Sequence, residues 1–199
     1  MEIGALLQAL HVAEQLKNNT RHSWTSDGRH ESVAEHSWRV TLMAYFVKDE
    51  YPDLDMNRVL LMCLIHDLGE AFTGDIPAFV KTEADEERES ALLSQWVSSL
   101  PEPFRKEMDK LYREMDAQET AEARLYKALD RMETIIQHNE APISTWLPLE
   151  YEKNLVYGKE QCAFSPYTSA LQERVKNDCL EKIRREGSGE PAENQENTP

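Results

Sequence analysis

The sequence predicts an all-α fold, a single domain of about six or more helices. Glycine is scarce, at 7 of 199 residues, while the helix formers Leu, Glu, Ala and Lys are common. Apolar residues recur at three- and four-residue intervals in successive stretches, and no run alternates like a strand.

The elements follow in order. Residues 3 to 16 place Ile3, Leu6, Leu7, Leu10, Ala13 and Leu16 on one helical face, and Asn18-Asn19 stops the helix. Residues 20 to 31 are polar, contain Asp27-Gly28 and read as a loop. Arg21, His22, Trp24, Arg29 and His30 in it combine cations with an aromatic, a mixture that can serve an anionic ligand. Ser32-Val33-Ala34-Glu35 reads as a capping box, so His36 falls in the first turn of a helix running to about Glu50. The positive helix end favours a neutral imidazole there.

Tyr51-Pro52-Asp53 breaks the chain, and Asp55 or Asn57 caps the next helix. Its apolar run, Leu60-Leu61-Met62-Cys63-Leu64-Ile65, leads into His66-Asp67, with Glu70 one turn later and an end expected near Ala71. Gly74 and Pro77 then impose a turn whose backbone N–H groups are free for an oxyanion. Helices are expected over 82 to 100, from Phe104 to Met115 and over about 118 to 139. Asp130 lies in the last of these, where its local reading is an ion pair with Lys127 or Arg131. Residues 141 to 164 read as irregular. Ser165-Pro166 opens a final helix as N-cap and first position. The stretch from Gly187 has no apolar content, so the domain is placed at 1–186 and a disordered acidic tail at 187–199.

Charge and composition exclude several classes. A net charge of -15 opposes binding of polymeric nucleic acid, though not of a small anion in a locally positive site. No apolar run reaches the roughly 20 residues of a membrane span. The first residues lack the basic and apolar regions of a signal peptide, so none is expected. Cys63, Cys162 and Cys179 are odd in number and far apart, which fits a reduced, cytoplasmic setting.

The chemistry centres on His66-Asp67. Charged groups at the edge of a core cost several kcal/mol unless paired or bound to metal. Two imidazoles and two carboxylates suffice for one divalent ion. Mixed nitrogen and oxygen donors suit Co, Mn, Zn, Fe or Ni better than Ca or Mg. Glu70 cannot easily join His66 and Asp67 on the same ion and is better placed to hold or deprotonate a water.

The pieces Arg21-His22-Ser23-Trp24, Glu31 to Ser37, His66-Asp67-Leu68-Gly69-Glu70, Thr73 to Pro77 and Lys127-Ala128-Leu129-Asp130 resemble the HD superfamily of metal-dependent phosphohydrolases. Within it the chain is similar to small bacterial 5'-deoxynucleotidases and HD-domain-containing relatives, over roughly residues 6 to 185. The resemblance implies metal ligands at His36, His66, Asp67 and Asp130, overriding the local reading of Asp130. It implies catalytic carboxylates at Glu70 and Asp75, a phosphate-binding Arg21 and an aromatic substrate contact at Trp24. The implied substrate side also takes in His36, Asp67, Asp75 and Asp130. The implied reaction is hydrolysis of deoxyribonucleoside 5'-monophosphates, with Ile76, Pro77 and Ala78 as candidates for a wall under C2'. A homodimer is implied as well, and Trp146 and Leu147 could serve its interface or the core. Alternatives are an HD phosphohydrolase acting on a deoxynucleoside triphosphate or guanosine tetraphosphate, and a non-catalytic metal-binding scaffold.

Overall fold

A computed structural model describes residues 1 to 187. The expected tail, apart from Gly187, lies outside the described residues. Among the described residues there are ten α-helical segments, two 3-10 turns and one two-stranded hairpin. The long helices are α1 (Ile3–Asn18), α2 (Val33–Phe46), α3 (Met56–Ile65), α5 (Glu83–Ser99), α6 (Phe104–Ala117), α7 (Ala121–Glu140) and α10 (Pro166–Glu186). The short ones are α4 (Glu70–Thr73), α8 (Glu150–Lys153) and α9 (Lys159–Cys162).

The starts of the helices follow the sequence closely. Ser32 accepts from the Glu35 N–H and Glu35 reaches back to Ser32, completing the capping box of α2. Asp55 caps α3, and Ser165 caps α10 with Pro166 in its first turn. Each such cap stabilises its helix by about 0.5–2 kcal/mol.

The core forms around α7. Val40 and Ala44 of α2, Val59, Met62 and Cys63 of α3, and Leu125 and Leu129 of α7 make one buried cluster. Met132 and Ile135 of α7 pack with Trp146, Cys162, Val175 and Cys179 in a second. A third, smaller cluster joins Leu16 of α1, Val33 of α2 and Leu68. Trp146 is therefore a core residue, with its indole N–H donating to the His138 carbonyl at 2.9 Å, while Leu147 is half exposed. No helix among the described residues is long and apolar enough to cross a membrane.

Three expectations need correction. Residues 20 to 31 are not simply a loop: β1 (Thr20–Trp24) and β2 (His30–Ser32) pair antiparallel, Thr20 opposite Ser32 and Trp24 opposite His30. The inward residues of this hairpin, Ser23 and Glu31, are polar, so no alternation of hydrophobicity marks it. The 141 to 164 stretch is not irregular but holds α8, α9 and a 3-10 turn at Ile143–Thr145. The helix carrying His66 ends at Ile65 rather than near Ala71. Between α3 and α4 the bonds run from Leu68 N–H to Ile65, Glu70 to Asp67, Ala71 to Leu68 and Phe72 to Gly69. In such a three-residue repeat, positions i and i+3 eclipse. Glu70 thus lines up with Asp67 rather than with His66.

Candidate metal centre

Three helices bring the four expected ligands together. On α2, His36 shares the buried face of Val33, Val40 and Ala44, and it is fully buried. His66 is the C-terminal cap of α3, and Asp67 follows in the tight turn. Asp130 comes from the middle of α7. The donor atoms of His36, His66 and Asp67 all lie within 4.8 Å of one another. His36 Nε2 is 3.3 Å from His66 Nε2. Asp67 Oδ2 lies 3.1 Å from His66 Nε2 and 3.7 Å from His36 Nε2. Asp130 Oδ1 lies 3.2 Å from His36 Nε2 and 3.7 Å from His66 Nε2. Asp130 also keeps its local partner, since Oδ2 accepts from Lys127 Nζ at 3.0 Å.

These spacings fit one divalent ion. Ligands about 2.1 Å from a common metal stand about 3.0 to 3.4 Å apart. The tautomers fit as well. His66 Nδ1–H donates to the Cys63 carbonyl at 2.8 Å, and His36 Nδ1 is held by the Glu133 carboxylate. Each neutral ring then turns its Nε2 lone pair toward the other, an arrangement that calls for a cation between them. Asp67 Oδ2 is buried without a hydrogen-bond partner, a second sign that these donors suit an ion.

Electrostatics points the same way. Six carboxylates, Glu31, Asp67, Glu70, Asp75, Asp130 and Glu133, outnumber the fixed cations that face them, Arg21, Arg39, Lys81, Lys127 and Arg131. Burial, then Asp67 and Asp75, push the Glu70 carboxyl up to about 10. Burial and Glu133 raise Glu31 to about 7. Burial opposes a charge on His66, but Asp67 and Asp130 outweigh it and raise its pKa to about 10, so the carboxylates that favour a proton on that ring equally favour a metal cation in the proton's place. Burial also disfavours the ionised form of Asp67, yet His66, His36 and Arg21 hold that carboxyl well below the usual range.

Arg21 sits beside the donors and is almost fully buried. Its Nη1 is 3.6 Å from Asp67 Oδ2 and 3.9 Å from Asp75 Oδ1. Its Nη2 donates to Thr134 at 3.3 Å, and its Nε has no hydrogen-bond partner. Glu70 begins α4 and is buried, with Oε2 unpartnered. Gly74 ends α4 at φ +76, a conformation suited to glycine, and turns the chain into Asp75. Of the N–H groups in this turn, those of Gly74, Val80 and Lys81 are already bonded to backbone carbonyls. Ile76 and Pro77 are half-buried and Ala78 is exposed. Trp24 ends β1 with its ring against His30, 4.0 Å between centroids.

A cavity of about 820 Å³ opens beside the centre. His66, Asp67 and Glu70 line it with Lys81, Tyr112 and Lys127, and α5 and α6 form its far wall. Arg105, Lys106 and Arg113 add positive charge around it, against Glu86, Glu89, Asp109 and Asp116. Its size falls in the range of about 300–1,000 Å³ usual for small-molecule sites.

Sequence reasoning missed Glu133 as part of this centre; it named Glu31 only within a motif, and Lys127 as a motif residue and partner of Asp130, a pairing the structure keeps. For Glu133 the helical spacing from Asp130 was visible in the sequence, but its burial was not. Asp130, Glu133, Thr134, Gln137 and His138 share one helical face, and all are buried polar residues.

Comparison with known proteins agrees with this geometry. The family model described as HD domain matches residues 13–172. The human protein named 5'-deoxynucleotidase HDDC2 is 38% identical over 140 residues, covering 68% of each chain. Its mouse counterpart, also named 5'-deoxynucleotidase HDDC2, is 35% identical over 68% of this chain and 69% of its own. Among solved structures, one titled "predicted metal-dependent phosphohydrolase" from Magnetospirillum magnetotacticum MS-1 superposes with a TM-score of 0.75 at 30% identity. It covers 90% of this chain and 93% of that one. A family match over most of the chain, a relative at 38% identity and a shared fold have one reading: this chain belongs to the HD domain family.

Proposed function

We propose that this chain hydrolyses deoxyribonucleoside 5'-monophosphates to deoxynucleoside and phosphate, using one divalent transition metal. The observation that carries this reading is the convergence of four donor atoms beside Arg21, two of which, from His66 and Asp67, line a cavity large enough for a nucleotide. Relatives named 5'-deoxynucleotidase support the reaction class.

In this reading His36, His66, Asp67 and Asp130 hold the metal, and their mixed donors suit Co, Mn, Zn, Fe or Ni. When bound, the metal neutralises charge on phosphate and acidifies water. Arg21 offers its unused guanidinium donors to a phosphate oxygen in bidentate fashion. Asp75 holds the attacking water and accepts its proton, or Glu70 does where a bound cation offsets the burial and the neighbouring carboxylates that otherwise keep it protonated, and attack runs in line with the leaving O5'. Lys81 and Lys127 at the cavity draw in the anionic substrate. Trp24, two residues beyond His22 on β1, is read as a substrate contact. Ile76, Pro77 and Ala78 form the wall under C2', where a ribose hydroxyl meets neither space nor partner.

The chain is further read as cytoplasmic and homodimeric. Its cysteines are free and buried, and α1 leaves Ile3, Leu6, Leu7 and Leu10 exposed.

The test is phosphate release from paired deoxy- and ribonucleoside 5'-monophosphates after metal removal and single-metal add-back. Turnover of the deoxy members alone, restored by a transition metal, is expected. No release from any monophosphate with any metal sinks the proposal. In the same assay Glu70→Ala is expected to bind metal normally and lose about 10²–10⁴-fold in turnover. Near-full activity in that variant would remove Glu70 from its role.

A further inference from the structure

We propose that His22, His138 and Glu150 form a second transition-metal site, separate from the centre described above. The three residues come from β1, α7 and α8, and their donor atoms lie within 4.8 Å of one another. His22 Nε2 is 2.6 Å from Glu150 Oε1, and His138 Nε2 is 3.8 Å from the same oxygen. Two imidazoles and one carboxylate are a donor set for zinc, cobalt, nickel or iron.

The surroundings orient these donors as the outer contacts of a metal site do. His138 Nδ1–H donates to Asn154 Oδ1 at 3.2 Å, so the Nε2 lone pair faces the cluster. Burial lowers the His138 pKa and keeps the ring neutral; Glu150 opposes that shift, while His22 and Arg21 reinforce it. The Leu147 N–H donates to Glu150 Oε2 at 2.7 Å and leaves Oε1 for the cluster. The Ser23 hydroxyl stands 3.2 Å from His138 Nε2. The His22 ring is held edge-on by Phe79 and His138, with centroids 5.4 and 5.2 Å away. The side chains of Glu150 and His138 are 5% and 7% exposed, whereas that of His22 is 27% exposed. An ion therefore has a path in from the His22 side and an open coordination position there.

The site does not share its ion with the first centre. His138 follows Asp130 by eight residues on the same helix, about 12 Å along its axis. Ions that act together on one phosphate lie about 3.5–4 Å apart. The second ion instead ties β1 and α8 to α7. Arg21, next to His22, is thereby fixed in place, which makes this a positioning site.

The full chain, stripped with chelator, would be dialysed to equilibrium against zinc and its metal content measured by elemental analysis. Two zinc ions per chain are expected. Glu150→Gln retains an acceptor for Leu147 and is expected to bind one. Asp67→Asn is also expected to bind one, by losing the other ion. The partly exposed His22→Asn repeats the Glu150→Gln result should that variant not fold by circular dichroism. With cobalt, visible absorption that persists in Asp67→Asn and vanishes in His22→Asn would report this site alone. A single zinc per chain in the wild type, lost in Asp67→Asn, overturns the proposal. Two zinc ions retained in both Glu150→Gln and His22→Asn overturn it equally. Loss of the first ion alone leaves this site standing and bears only on the ligands proposed for the first centre.

Discussion

At the scale of single residues, Glu133 decides how His36 presents itself. Both side chains are fully buried, and the Glu133 carboxylate holds His36 Nδ1. A carboxylate only accepts, so Nδ1 must carry the proton and Nε2 must offer a lone pair. Glu133→Gln keeps the shape but can present an N–H to the same nitrogen, favouring the tautomer with its proton on Nε2. Metal affinity is then expected to fall about 10–100-fold, read by competition with a chelator of known affinity. Glu133→Asp keeps an acceptor and should recover part of that loss. Unchanged affinity in Glu133→Gln would show that Glu133 does not set the tautomer. The His66-Asp67 pair was legible because a charged dipeptide ends an apolar run. Glu133 was not, since an acidic residue between Met132 and Thr134 reads as solvated until α7 is seen to be buried on both faces.

At the scale of elements, the site depends on where helices begin and end. The capping box of α2 was plain from Ser32 and Glu35, because a cap is a local contact between near neighbours. The hairpin was hidden, since its pairing joins residues apart in sequence and its inward side chains are polar. The early end of α3 was hidden too, because turns with three- and four-residue repeats draw on the same local sequence. The cap makes a pH-dependent prediction. The Arg29 hydrogen bond, more than burial opposes it, lowers the Glu35 pKa from 4.5 to about 2. A depressed carboxylate pKa adds stability that is present above the unfolded value and lost as pH falls through the folded one. Ser32→Ala is expected to cost about 0.5–2 kcal/mol at neutral pH by chemical denaturation. Glu35→Gln is expected to be less stable than wild type near pH 6. That difference should close as pH drops from about 4.5 toward about 2. Because Glu35 is 43% exposed, solvent screening keeps its pH-dependent part small. A gap that widens on acidification would contradict the assignment.

At the scale of the whole molecule, α1 is where pattern and burial part company. Its apolar spacing predicted a helix correctly, and the helix runs Ile3–Asn18. Yet only Leu16 is buried, while Ile3, Leu6, Leu7 and Leu10 are 75%, 44%, 60% and 56% exposed. Periodicity tells that a face is apolar, not what covers it. An apolar stripe of this length along one helix is costly to leave in water, at about 25 cal/mol per Å². A second copy of the chain is a natural cover, because a twofold contact pairs the same stripe with itself. The inner end of α1 also bears on the site, as Leu16 packs with Leu68 and the Asn19 amide donates to the Glu70 carbonyl at 2.5 Å. Sedimentation is expected to give a particle of about 46 kDa, twice the 23.0 kDa chain. Leu7→Glu with Leu10→Glu places like charges opposite each other across that contact and should shift the particle to a monomer without unfolding it. A wild-type monomer at tens of micromolar would reject the dimer. A dimer that survives both substitutions would move the contact to the outer face of α2, where Trp38 and Phe46 are 62% and 72% exposed.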